Sequence, residues 1–338
     1  MESHLMRYSI LLAAIAAVFS TNGVTAADDG TDIIFFTGTL QNTTINLVSP
    51  SGIPVSTSGT FRVNDSTYDG LGGTDFLFMT GDADYLQSGK SINMEQFFAS
   101  DGNDVFDGSD QSIDIVILGG AGGDILFGGS GNDSTYGSYG DDFIDGGSGN
   151  DILNGNDNND TIYGGSGNDI LDGGADNDQL FGGTGNDAIY GGLGDDDFHG
   201  ISGNDFIVGE VDGTPDSAFD EIILTNLSSI DIAVSMVDSV FMNQYLVDHG
   251  FSFSFSETDQ GYLLTILGET DSALITLDTE AVVLSDGTYT LASLSAVPIP
   301  AAAWLFGSGL LSLVGFSKRQ VTEGFKLIPS VTFLAFLR

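Results

Sequence analysis

Glycine, aspartate and large apolar residues recur with a nine-residue spacing through residues 119–208, which divide into ten rows without a gap. Position one of every row is glycine, position four is glycine in eight rows, and position six is aspartate in all ten. Position eight is large and apolar in nine rows, with Thr135 as the exception. A Gly/Asp-rich linker would not keep these residue types in one register, so the pattern predicts a structural repeat rather than low-complexity sequence.

The order of residue types within a row predicts its backbone. Glycines at positions one, two and four permit conformations that a Cβ forbids, so the first six residues are expected to curl with their carbonyl oxygens turned inward. The last three residues are expected to extend as a short strand, whose middle side chain at position eight faces a core. If two rows form one coil, residues 18 apart stack at about 4.8 Å and the ten rows give about five coils. The predicted fold class is therefore all-β, with a parallel β-roll at residues 119–208.

The segments on either side of the roll carry strand patterns and are expected to form β-rich caps over its open ends. Within residues 28–118 the predicted strands are 33–36, 43–48, 60–63 and 76–79. Within residues 209–296 they are 251–255, 262–267, 274–277 and 282–284, followed by a hairpin signal at Asp286-Gly287. A short helix is expected at 237–247.

The charge balance indicates which kinds of ligand the predicted fold can bind. Acidic residues number 48 against 7 Lys and Arg, a formal charge of −41, which excludes nucleic acid as a partner. The ten rows contain 17 Asp and no Glu, Lys or Arg. Stacked carboxylates repel each other unless a cation lies between them, and carboxylate and carbonyl oxygens suit calcium better than magnesium. Cysteine is absent, which excludes disulfides and zinc-thiolate sites.

Calcium is therefore the predicted ligand, with at most eight ions because ten rows form eight inter-coil pairs. Degenerate copies near Asp75 and Asp104 keep the Gly, Asp and apolar spacing without the register, so these two are weaker ligand candidates than the aspartates of the ten rows, and ordinary turn residues are the favoured interpretation. The predicted metal ligands are Asp124, Asp133, Asp142, Asp151, Asp160, Asp169, Asp178, Asp187, Asp196 and Asp205.

The rows match the pattern G-G-x-G-x-D-x-U-x, where U is a large apolar residue, and so resemble the calcium-binding repeats of the repeats-in-toxin (RTX) family. The resemblance implies a parallel β-roll with Asp carboxylates and turn carbonyls around each calcium ion. Without metal a block this acidic is expected to stay expanded, so that the free energy of calcium binding becomes free energy of folding.

The two ends of the chain carry targeting patterns. Residues 1–27 place Arg7 before an apolar run that ends at small residues, as in a secretory signal peptide, with an uncleaved anchor as the alternative. Residues 299–316 are uncharged and precede Lys318 and Arg319, which suits a membrane segment. The amino-acid sequence of residues 297–319 resembles the PEP-type C-terminal sorting signal of Gram-negative bacteria, because it begins Val-Pro-Ile-Pro-Ala-Ala-Ala-Trp and ends with the basic pair. A plain membrane anchor is the alternative. Residues 320–338 form a tail of uncertain status.

The sequence offers no catalytic motif of the kinds that commonly accompany such repeats. It contains neither H-E-x-x-H nor G-x-S-x-G, and His199 and His249 are interpreted as surface residues. The predicted function is non-enzymatic: a secreted or surface-bound calcium-binding protein of the cell surface or extracellular matrix, with an extracellular polysaccharide or the cell surface as partner. The alternatives are a secreted hydrolase whose catalytic flank is carried by the roll, and a self-associating matrix protein.

Overall fold

The computed structural model of the protein describes residues 33–35, 38–64, 68–69, 76–79, 83–86, 91–92, 95–209, 220–224, 232–251, 260–266, 271–276, 281–285 and 287–295. The predicted signal peptide at 1–27, the segment at 297–319 and the tail at 320–338 lie outside the described residues. Within the described ranges, no helix is long and apolar enough to cross a membrane.

Strands make up most of the described chain, and two helices accompany them. In chain order the strands are β1 (Ile33–Phe35), β2 (Gly38–Val48), β3 (Pro54–Asn64), β4 (Tyr68–Asp69), β5 (Phe76–Phe78), β6 (Asp84–Leu86), β7 (Ser91–Ile92), β8 (Gln96–Asp101), β9 (Val105–Asp107), β10 (Val116–Ala121), β11 (Ile125–Gly129), β12 (Ser134–Tyr139), β13 (Phe143–Ser148), β14 (Ile152–Asp157), β15 (Thr161–Ser166), β16 (Ile170–Ala175), β17 (Gln179–Thr184), β18 (Ala188–Leu193), β19 (Asp197–Ser202), β20 (Asn204–Val208), β21 (Glu221–Leu224), β22 (Ile232–Asp238), β23 (Gln260–Ile266), β24 (Ser272–Thr276), β25 (Ala281–Leu284) and β26 (Gly287–Thr290). The helices are α1 (Ser239–His249) and α2 (Leu291–Ser295).

The strands form two twelve-stranded sheets, to which successive rows of the repeat contribute alternately. Sheet A has the order β1-β5-β8-β10-β12-β14-β16-β18-β20-β24-β23-β22. Sheet B has the order β2-β3-β6-β9-β11-β13-β15-β17-β19-β21-β25-β26, and β4 pairs with β7 separately. In the central parts of both sheets the strands run parallel, as in a solenoid.

The register confirms that two rows make one coil. Ile152 pairs with Ile170, and Ile170 pairs with Ala188, each partner lying 18 residues further along the chain. The predicted parallel β-roll is therefore confirmed, and the ladder continues beyond the ten rows at both ends.

The strands are longer than the three residues expected per row. β14 to β18 each have six residues, because pairing resumes after position one and includes positions two and three of the next row. The prediction that only positions seven to nine extend was wrong. Positive φ at position two, as in Gly174 at 114°, turns the backbone back into the ladder after position one.

A single line of side chains fills the space between the two sheets. All nine apolar residues at position eight are buried, as predicted from their spacing, and Thr135 is buried with them. The line continues into both caps through Phe106 and Ile222, so the roll and its caps share one core. The position-eight residues are Leu126, Ile144, Leu153, Ile162, Leu171, Leu180, Ile189, Phe198 and Ile207.

At the N-terminal end, β2 and β3 form an antiparallel hairpin that joins the edge of sheet B through β6 and folds over the outer face of the same sheet. Its Ile45 and Leu47 lie against Val105 and Ile125, whose side chains point away from the core. At the hairpin tip, the backbone N–H and the hydroxyl of Ser51 donate to the two carboxylate oxygens of Asp145, at 2.9 and 2.8 Å. The four strands predicted before residue 80 are present as β1, β2, β3 and β5.

At the C-terminal end, the parallel ladder of sheet A gives way to antiparallel strands β24, β23 and β22, and β26 folds back on β25 in sheet B. The predicted helix is α1, which begins and ends two residues later than expected because the chain is still in β22 at Asp238. It packs on the outer face of sheet A, where Met242 and Leu246 join Phe206 in a second buried cluster. The predicted strand 251–255 lies outside the described residues beyond Phe251.

Candidate metal centre

The turn of each row depends on glycine for two different reasons. At positions two and four the backbone of most rows has positive φ, and a carbonyl of the preceding coil lies where a Cβ would be, as Gly149 shows with φ of 129° against Gly131 O. Asn and Asp, which tolerate this conformation best after glycine, replace it in the exceptional rows at Asn158 (φ 83°) and Asp176 (φ 75°). Carbonyl oxygens of neighbouring coils are therefore brought close together in each turn.

At position one glycine is required because there is no room for a Cβ. A Cβ on Gly164 would lie 2.7 Å from Asp169 Oδ2 and 2.5 Å from the carbonyl oxygen of Gly182 in the next coil. The same two oxygens, the carboxylate of the row and the carbonyl one coil further on, flank Gly155, Gly173 and Gly191. An invariant glycine at position one thus leaves open a small space bounded by oxygen atoms.

The position-six aspartates of the ten rows, which we call the Asp ladder, form two hydrogen-bonded columns. In eight of the ten, Oδ1 accepts from the backbone N–H of the aspartate 18 residues earlier, as Asp169 does from Asp151 at 2.8 Å. Eight such bonds connect the ten residues, with lengths from 2.7 to 3.0 Å. The two columns predicted from the spacing are present, with all ten side chains only 0–3% exposed.

The second oxygen of most ladder residues has no hydrogen-bond partner within the described part of the chain. Asp133 differs, because its Oδ2 accepts from the N–H of Gly129 at 2.9 Å. A buried carboxylate oxygen without a donor or a cation is costly, so these atoms mark positions where a positively charged ligand fits. The unpartnered atoms are Oδ2 of Asp124, Asp142, Asp151, Asp160, Asp169, Asp178, Asp187 and Asp205.

Burial raises the pKa of the ladder carboxyls far above the ordinary value for Asp. It raises the pKa of Asp178 to about 9, of Asp160 to about 8 and of Asp151 to about 7, against a smaller lowering by the backbone hydrogen bond that each accepts. The sequence suggested that repulsion between neighbouring carboxylates is the main cost. Repulsion does raise the pKa of these groups, but burial raises it more. A cation in the turn would oppose both effects and favour the ionised form.

The donor set fits calcium. Within the described ranges no three His, Cys, Asp or Glu side chains converge on one point. Each turn instead supplies single carboxylates together with backbone carbonyls, an all-oxygen set that a hard cation with a flexible coordination shell accepts. The ladder residues would hold the ion, whose charge would neutralise the buried carboxylates.

Three further aspartates extend the Asp ladder beyond the ten rows. Asp104 Oδ1 accepts from the N–H of Asp84 at 2.6 Å, and Asp124 Oδ1 accepts from that of Asp104 at 2.8 Å. At the other end Asp220 Oδ1 accepts from the N–H of Asp196 at 3.1 Å. Asp104, a weaker ligand candidate on the sequence, is therefore a buried member of the hydrogen-bonded ladder, while Asp75 lies outside the described residues.

Sequence reasoning missed Asp84 and Asp220, and ranked Asp104 below the aspartates of the ten rows, because the spacing of these residues along the ladder is 20 or 24 residues instead of 18. A weaker signal was present. Each is followed, two residues later, by a buried apolar side chain: Leu86, Phe106 and Ile222. The pattern Asp-x-apolar survives where the glycines have been lost.

Three stretches of the chain, residues 116–135, 136–171 and 172–207, match the family model of the RTX calcium-binding nonapeptide repeat (4 copies). The matched residues contain the whole Asp ladder and exclude Asp84, Asp104 and Asp220. A comparison with the curated proteins finds no match to the chain.

Proposed function

Since residues 116–207 are RTX calcium-binding nonapeptide repeats in a parallel β-roll, we propose that this protein is exported, folds on binding calcium outside the cell, and serves as a structural or adhesive component of the cell surface or extracellular matrix. Several ions bind along the two columns of the Asp ladder. The partner is an extracellular polysaccharide or the cell surface itself.

The observation that carries the calcium-driven folding is the buried row of carboxylate oxygens without partners. Bringing these groups out of water stabilises nothing by itself, and at neutral pH it requires either proton uptake or a cation. Lys and Arg are absent from the ten rows, so the chain has no cation of its own to supply there. The free energy of calcium binding would then stabilise the folded roll.

A far-UV circular dichroism titration of the chain with calcium tests this proposal, with magnesium as the control ion. The expected result is a coil-to-β transition with calcium that magnesium does not produce at equal concentration. In the double variant Asp151→Asn and Asp169→Asn the transition should need more calcium, because two buried ligands are lost. The matched control is the double variant D157N and D195N, which removes the same number of charges. Both side chains are exposed and lie outside the ladder. A β spectrum that is already complete without metal would refute calcium-driven folding.

The proposal that the protein is exported is supported by the sequences at the two ends of the chain. The signal-peptide pattern of residues 1–27 and the apolar segment 299–316 with its basic flank support passage across the inner membrane of a Gram-negative bacterium, followed by retention or sorting. Cell fractionation of the full chain and of a variant lacking residues 297–338 is the test. We expect the full chain at the surface or in the medium; a full chain that stays in the cytoplasm would contradict export.

We further propose that the protein has no enzymatic activity. His199 is half-buried in an outward column of sheet B, where its ring stacks on Phe181 at 4.1 Å and burial lowers its pKa. His249 shares a hydrogen bond of 2.8 Å with the carbonyl of Tyr245 on its own helix. These contacts support structural roles for both. Hydrolase activity that disappears on mutation of a carboxylate in either flank would instead favour the alternative of a catalytic flank.

A further inference from the structure

The outer face of sheet A carries almost no charge, although the chain as a whole is strongly acidic. Because the middle residue of each short strand faces the core, the residues on either side of it face outward. On the six strands of sheet A from β10 to β20, these outward positions contain a single charged side chain, that of Asp172. The same positions of the six strands of sheet B from β11 to β21 contain three carboxylates and His199. A protein with a formal charge of −41 therefore keeps one long face nearly neutral.

The same face holds the exposed apolar side chains of the roll. Among the side chains described for residues 119–208, the large apolar ones that are exposed all lie on strands of sheet A: Tyr136, Tyr139, Ile152, Ile170 and Leu193. Ile152 and Ile170, each 44% exposed, are direct neighbours in the parallel ladder. Exposed apolar side chains collected on one uncharged face indicate an interaction surface rather than a solvated one.

One column of this face has an aromatic ring at each end and polar groups between them. Tyr136, Asn154, Asp172 and Tyr190 follow one another as pairing partners on β12, β14, β16 and β18, and we call these four residues the tyrosine column. Three strand spacings separate the two tyrosines, about 14 Å. The ring of Tyr190 is held edge-to-face against Phe206, with ring centroids 6.1 Å apart and an interplanar angle of 88°. The column is therefore a fixed array that runs along the axis of the roll.

The polar centre of the tyrosine column requires a ligand that donates hydrogen bonds. Asn154 Nδ2 donates to Asp172 Oδ2 at 3.2 Å, which is the only side-chain hydrogen bond of either residue within the described part of the chain. The other oxygen of each side chain, Oδ1, can accept from a ligand. An apolar ligand laid over the column would cover these oxygens without supplying donors, which is costly.

We propose that the tyrosine column, with Ile152 and Ile170 beside it, binds an extended neutral polysaccharide. A sugar ring has an apolar C–H face that packs on tyrosine, and hydroxyls that donate to amide and carboxylate oxygens. The negative charge of the molecule repels an anionic polysaccharide. A second flat sheet would meet α1, which packs on this face next to Tyr190. The inference rests on the proposed function and deepens it, because it names the surface and the class of polysaccharide.

Affinity gel electrophoresis of the full chain with calcium tests the inference. The gels contain hydroxyethyl cellulose, galactomannan or dextran as neutral polysaccharides, and carboxymethyl cellulose as an anionic polymer with the same backbone as the first. We expect retardation by at least one neutral polysaccharide and none by carboxymethyl cellulose. Y136A should raise the dissociation constant about tenfold, because one aromatic end of the column is lost. The matched control is Y139A, the same substitution on the same strand at an exposed position outside the column.

Equal binding by Y136A and the wild type would overturn the inference, as would retardation by none of the neutral polysaccharides or by carboxymethyl cellulose alone. N154A, which keeps both tyrosines, should also weaken binding and gives a second measurement if Y136A alters folding. Circular dichroism of the same samples separates the two proposals. A chain that folds with calcium and binds no neutral polysaccharide would refute the inference alone, whereas one that gains no β-structure with calcium would refute the proposed function and the inference with it. A dimer in size-exclusion chromatography that Y136A dissociates would assign the face to a second copy instead.

Discussion

At the scale of single residues, the ladder aspartates link proton binding to the stability of the metal-free roll. Burial in the folded chain raises the pKa of Asp187 to about 6 and that of Asp178 to about 9, above the value near 3.9 of an unfolded Asp. The folded state therefore binds protons more tightly than the unfolded state. The stability that this provides is fully present below pH about 4 and is lost as the pH rises through the folded-state values.

We therefore expect the calcium-free chain to contain more β-structure at pH 5 than at pH 8. Circular dichroism in metal-free buffer measures this directly. Saturating calcium at pH 8 should restore the β signal, because the ion replaces the protons. Equal signals at the two pH values without metal would show that ladder burial does not control folding.

Thr135 is the one polar residue at position eight, and its hydroxyl is buried without a hydrogen-bond partner within the described residues. Replacing it with the isosteric valine removes the unsatisfied group and leaves the packing unchanged. We expect T135V to raise the free energy of unfolding of the calcium-loaded protein by about 1 kcal/mol. The measurement is the urea midpoint at fixed calcium, and T161V at a half-buried position seven is the control. A lower midpoint for T135V would mean that the hydroxyl has a partner in solution.

At the scale of secondary-structure elements, the hairpin β2–β3 is attached to the roll by Asp145. This carboxylate is buried at an outward-facing position because Ser51 covers it and donates to both of its oxygens. In D145N the negative charge is lost and one acceptor oxygen becomes an amide donor, so the hydrogen bonds from Ser51 lose their charged acceptor and the attachment should weaken by roughly 1–3 kcal/mol.

Amide hydrogen exchange separates this local effect from global unfolding. In D145N the amides of residues 49–53 should exchange about tenfold faster or more, with those of the roll unchanged. The matched control is D172N, a position-nine acid of sheet A that accepts from Asn154 at 3.2 Å. Equal acceleration in both variants would assign the change to the roll rather than to the hairpin.

The sequence predicted the elements that follow from a strict period. The nine-residue spacing placed Asp169 and Leu171 correctly, because every row repeats the same choice of inward and outward side chains. It did not predict the contact of Ser51 with Asp145, which are 94 residues apart and belong to no common period. Asp104 was ranked below the aspartates of the ten rows for a related reason, since two inserted residues hide its register in the sequence but not in the hydrogen-bonded ladder.

At the scale of the whole molecule, the proposed calcium sites would all act on one folding equilibrium. Each site that binds only the folded chain adds about 1.4 kcal/mol of stability per tenfold rise in calcium above its dissociation constant. The eight inter-coil steps of the Asp ladder would together add about 11 kcal/mol per tenfold rise.

Folding should therefore switch within a narrow range of calcium concentration. The slope of the free energy of unfolding against the logarithm of calcium concentration measures the number of ions taken up on folding. A slope that corresponds to a single ion would contradict the participation of the whole ladder. Potassium chloride at equal ionic strength serves as the control for charge screening.

Alternation of rows between the two sheets determines how the gene for such a protein can change in length. The hairpin lies on the outer face of sheet B and α1 on the outer face of sheet A. Duplication or loss of 18 residues would lengthen or shorten the roll and return every later strand to its own sheet. Duplication or loss of nine residues would exchange the sheets for all later strands, and α1 would then lie on the same side as the hairpin. Only changes by whole coils preserve the opposite placement of the two, so the roll can evolve in length by even numbers of rows.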